Sequence, residues 1–75
     1  MLSFEIRRSE AASDELDVVC DREGLESLLA QLRLLQLGKT DHVHLMAESW
    51  GGTHLDEDTS NPSSSPIRHV KVLLR

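Results

Sequence analysis

The sequence predicts an α+β fold, a two-layer sandwich in the order β-β-α-β-β. One amphipathic helix packs on a mainly antiparallel four-stranded sheet. Three observations predict it. Four segments alternate apolar and polar residues with period two, as half-buried strands do. One segment repeats leucines at three- and four-residue steps, which lines one face of a helix. The helical segment lies between two strand pairs, each with the look of an antiparallel hairpin.

The first strand spans residues 2–8. Leu2, Phe4 and Ile6 point to the core, and Ser3, Glu5 and Arg7 point away. The second spans residues 15–20, with Leu16, Val18 and Cys20 inward. Residues 9–14, SEAASD, read as the turn between them.

Residues 22–37 carry Leu25, Leu28, Leu29, Leu32 and Leu35 on one helical face, with Leu34 left over on the other. Asp21 is placed to cap the helix, and Glu23 lies in the first turn, where the helix dipole favours an acid. Gly38 stands where a left-handed glycine stops a helix.

The third strand covers residues 42–48, with Val43, Leu45 and Ala47 inward and His42, His44 and Met46 outward. Gly51 and Gly52 then turn the chain, and residues 53–55 pair briefly. Residues 56–66 are an acidic Ser/Pro loop with no packed element of its own. The last strand covers residues 68–74, with Val70, Val72 and Leu74 inward and His69, Lys71 and Leu73 outward.

Seventy-five residues leave room for one domain, residues 1–75. Thirteen acids against eight Lys and Arg give a net charge of −5, which argues against a phosphate-backbone partner. No stretch approaches the ~20 apolar residues that span a bilayer. The opening residues lack the apolar segment of a signal peptide, and the single cysteine, Cys20, makes no internal disulfide. A reduced cytoplasmic setting is the expectation. No catalytic constellation stands out, no cofactor is implied, and the chain is expected not to be an enzyme.

Several residues are candidates for function. His42 and His44 share one side of a strand, and His69 lies outward on the last. If those strands pair, the three imidazoles converge, as partner contacts or as weak candidates for metal ligands. As ordinary polar residues on a solvated sheet face they need no function at all. Trp50 reads as a lid over one end of the core, or as an exposed anchor for a partner. Gly51 and Gly52 read as a structural turn. Asp56, Glu57 and Asp58 are a solvated surface or a face for a basic partner. The outer sheet face, which includes Met46, has no second helix to cover it. It is bare, self-associated or a docking site.

The stretch HVHLMAESWGGTHL at residues 42–55 resembles the immunity protein 32 family of bacterial polymorphic toxin systems. DREGLESLL at residues 21–29 resembles that family's helix opening, and HVKVLL at residues 69–74 its closing strand. The specific part is the strand followed by SWGG, and the resemblance covers most of the chain after about residue 15. It implies a small bacterial cytoplasmic protein that binds and blocks a cognate toxin domain. His42, His44, Trp50, Gly51 and Gly52 match the family-like motif. The alternatives are a small metal-binding protein with a His cluster and a homodimeric interaction module.

Overall fold

A computed structural model describes residues 1–7, 15–58 and 62–75. The expected turn at residues 9–14 lies outside the described residues, as do residues 59–61 of the acidic loop. Among the described residues, five strands and one helix follow in the order β1 Leu2–Arg7, β2 Leu16–Cys20, α1 Arg22–Gln36, β3 His42–Met46, β4 Ser64–Pro66 and β5 His69–Leu73. A short 3₁₀ turn, Glu48–Trp50, follows β3. The α+β class is the one the periodicities predict. No helix among the described residues is long and apolar enough to cross a membrane.

The sheet departs from the expected single layer of four strands. It divides into a three-stranded sheet, β2-β1-β4, and a two-stranded sheet, β3-β5, with every pair antiparallel. The cause lies in the supposed loop. Ser64, Ser65 and Pro66 pair with Arg7, Ile6 and Glu5, and Ile67 donates its N–H to Phe4 O at 2.8 Å. The chain then leaves β1, and His69–Leu73 pairs with β3 instead. Pro66, which has no N–H to give, sits at the end of its ladder, where its loss is tolerated. At the start of β1 the segment around Leu55 takes over. Asp56 N–H donates to Leu2 O at 2.8 Å, and Leu55 forms a parallel bridge with Ala47.

The centre of the core is Leu2, Phe4, Leu45, Ala47 and Leu55, with Cys20, Leu28, Ile67 and Val70 packed against it. β1 is the central strand of its sheet, and it is covered on both faces rather than one. Ser3 and Glu5 are as buried as Leu2, and Ser3 Oγ donates to Glu5 Oε2 at 2.8 Å. A carboxyl group out of water needs such donors.

The helix is capped as expected. Asp21 accepts from Gly24 N at 2.8 Å, and Gly38 is left-handed with φ +73°. Its leucine face is another matter. Only Leu35 is buried and Leu28 half-buried, while Leu25, Leu29 and Leu32 are exposed. Ile6, Leu16, Val18 and Leu74, expected in the core, are exposed too. One helix laid over two sheets covers their shared middle and leaves the outer parts bare.

Candidate functional site

The outer face of the β3–β5 sheet gathers the histidines. The register sets Met46 opposite His69, His44 opposite Lys71 and His42 opposite Leu73. His44 and His69 are therefore diagonal neighbours, within reach of long side chains. His44 Nδ1 lies 2.8 Å from His69 Nε2. Their rings are stacked with centroids 5.1 Å apart, and His42 meets His44 edge-on, also at 5.1 Å. Met46 is half-buried on the same face.

Trp50 extends the row. Its indole stacks on His69 at 5.7 Å. The side chain is 58% exposed, so it is not a lid over the core. The turn below it explains why. Trp50 N–H donates to Ala47 O at 3.0 Å, and Gly51 N–H donates to Glu48 O at 2.9 Å. Gly51 is left-handed at φ +86°. Gly52 packs so tightly on β3 that a Cβ there would lie 2.3 Å from Met46 O. A close, tight return of this kind turns the indole outward, beside β5. Gly51 by its left-handed backbone and Gly52 by its close approach to Met46 carry the chain through this turn.

Charge is arranged around the rings. Asp41 Oδ1 accepts from His42 Nδ1 at 2.7 Å, and this bond first, then the charges of His42 and Lys71, holds the Asp41 carboxyl below the ordinary range. Loss of water around the His44 ring lowers its pKa from the ordinary 6.5, and His42, His69 and Lys71 push the same way. The four rings run Trp50, His69, His44, His42. Trp50 and His44 are exposed and His69 and His42 half-buried, and together they present a strip with an apolar body and polar edges. Among the described residues, no group of three or more His, Cys, Asp or Glu is arranged to hold a metal ion. His44 and His69 turn their nitrogens on each other.

The acidic loop splits. Glu57 accepts from Arg68 Nε at 3.0 Å and from the Ser49 hydroxyl, which ties it to the neighbours of His69 and Trp50. Asp56 lies on the other side, where its Oδ2 accepts from Leu2 N–H at 2.9 Å. Asp58 is exposed. Only Glu57 of the three is tied by its bonds to the ring strip. Sequence reading passed over Asp41 and Arg68. The outward parity of Lys71 was visible, but its place against His44 depends on strand register.

No curated protein and no solved structure matches the chain. The family model described as immunity protein 32 matches residues 15–71. That span takes in β2, the helix, β3, the Trp50 turn and most of β5. With all four ring residues and the glycine turn inside one continuous match over residues 15–71, the chain belongs to the immunity protein 32 family.

Proposed function

We propose that this chain neutralises a cognate bacterial toxin domain by binding it through the outer face of β3 and β5, without catalysis, in the cytoplasm. The observation that carries the reading is the row Trp50, His69, His44 and His42, with Trp50 and His44 exposed and the other two half-buried, on a sheet face that no helix among the described residues covers. Exposed, rigid aromatic side chains are the groups that dominate binding energy when a partner closes over them. The rings are held by strand register and by the glycine turn, so little ordering entropy is lost on binding. Met46 adds a pliable apolar contact beside them. Asp41 at one end and Glu57 at the other, with Asp58 further along the loop, supply acidic groups at the rim. Rim charge of this sign speeds encounter with a basic toxin surface.

The test is co-expression with the toxin encoded beside this chain, followed by calorimetry. The chain restores growth, and the Trp50→Ala, His69→Ala double variant binds roughly 100-fold more weakly while keeping its melting curve. Full-strength binding by that folded double variant removes the ring strip from the interface. Failure of the native chain to rescue growth overturns the immunity reading for that toxin.

A further inference from the structure

The members of the ring strip differ in how they accommodate a positive charge. His42 has an acidic partner, because Asp41 Oδ1 accepts from its Nδ1 at 2.7 Å. His69 lies on Trp50, with centroids 5.7 Å apart, where the face of an indole attracts a cation. His44 has neither. Its bonded neighbour is His69 Nε2 at 2.8 Å, and among the described residues no carboxylate bonds to it. The charges that act on it are positive: Lys71 across the strand pair, and His42 and His69 once protonated. Glu57, the acid tied beside His69, is bonded to Arg68 and Ser49 instead.

We propose that His44 is the proton gate of the strip: the row holds while His44 Nδ1 keeps its lone pair, and it opens between His44 and His69 once that nitrogen is protonated. The order of protonation follows from the partners. Each neutral ring carries one proton, and one of the two lies in the hydrogen bond between Nδ1 and Nε2. The indole favours the next proton on His69. Its Nε2–H then donates to the free Nδ1 of His44, so the bond survives. The proton after that has only His44 left. It takes the acceptor away and sets two imidazolium rings against each other, with Lys71 opposite His44. The two histidines thus titrate as a coupled pair, and the opening belongs to the second step. Opening parts the strip into Trp50 with His69 and His44 with His42. It also adds positive charge to a face that the toxin reading sets against a basic surface. A loss of toxin affinity on acidification therefore rests on that reading, and the opening of the row does not.

Two measurements test this. In the free chain, ring NMR between pH about 7.5 and about 5 follows the contact of His44 with His69. The contact is expected to disappear as His44 titrates, below the ordinary 6.5, while the circular dichroism spectrum stays native. Lys71→Glu sets a carboxylate opposite His44 and is expected to raise the His44 midpoint. A contact that persists after His44 is charged overturns the proposal, as does a midpoint that Lys71→Glu leaves unmoved. With the toxin encoded beside this chain, affinity at pH about 5.5 is expected to fall by up to about tenfold from its level at pH about 7.5. His44→Gln, whose amide oxygen accepts at either pH, has a flatter profile. An equal change in the native chain and this variant, zero included, overturns the gate. A toxin that binds the native chain at neither pH fails the immunity reading instead, and the NMR measurement still decides the gate.

Discussion

His44 Nδ1 and His69 Nε2 meet at 2.8 Å across β3 and β5, so one ring donates the proton and the other accepts it. A second proton on the pair removes the acceptor and sets two cations against each other.

The His44 pKa lies below the ordinary 6.5, first through loss of water and then through its cationic neighbours. The folded state therefore binds a proton less readily than the unfolded chain does. As pH falls below 6.5 the unfolded chain takes up more protons, so stability drops with it and levels off below the folded-state value. A lower urea midpoint at about pH 5.5 than at about pH 7.5 is expected, with a smaller difference in His44→Gln. In proton NMR the His44 ring is expected to titrate below the ordinary 6.5. A midpoint at or above that value shows that the ring contact does not persist in solution.

Leu45 and Leu29 both belong to apolar patterns, yet they lie at opposite ends of the burial scale, at 0% and 54% exposed. Leu45→Ala is expected to cost about 2–5 kcal/mol, because it opens a cavity where both sheets and the helix meet. Leu29→Ala is expected to cost under about 1 kcal/mol. Thermal melts of dilute protein distinguish them. Equal losses contradict the exposed helix flank.

Gly52 has no room for a side chain. A Cβ would lie 2.3 Å from Met46 O and 2.5 Å from Met46 Cβ, so the turn must shift. Gly52→Ala is expected to cost about 1–3 kcal/mol. Since the same turn carries Trp50, its fluorescence should also change as the indole leaves His69. A native melting curve with native emission dismisses the close packing.

Much of this protein is legible in local pattern. The Asp21 cap, the Gly38 stop and the inward parity of Val43 and Leu45 follow from short-range rules. Those rules are backbone hydrogen-bond satisfaction at helix ends and alternation along a strand. The convergence of His42, His44 and His69 was conditional on pairing, and the pairing occurs. Sequence spacing leaves Trp50 between a lid and an exposed anchor, because it does not say which way a glycine turn leaves a sheet, and the indole is 58% exposed. Residues 64–66 were misread because a Ser/Pro composition hides strand pairing that only a neighbouring strand reveals. Ser64–Pro66 supplies the second partner of β1.

By itself, the sequence determined the α+β class, the order of its principal elements and which side of each strand its residues take. These depend on chemistry within a few residues. Only the tertiary structure decided that the sheet splits in two, that β1 is covered on both faces and that four of the six helix leucines are exposed. It also decided that four rings stand in a row. Those outcomes depend on register between strands far apart in sequence and on how much surface one fifteen-residue helix can cover.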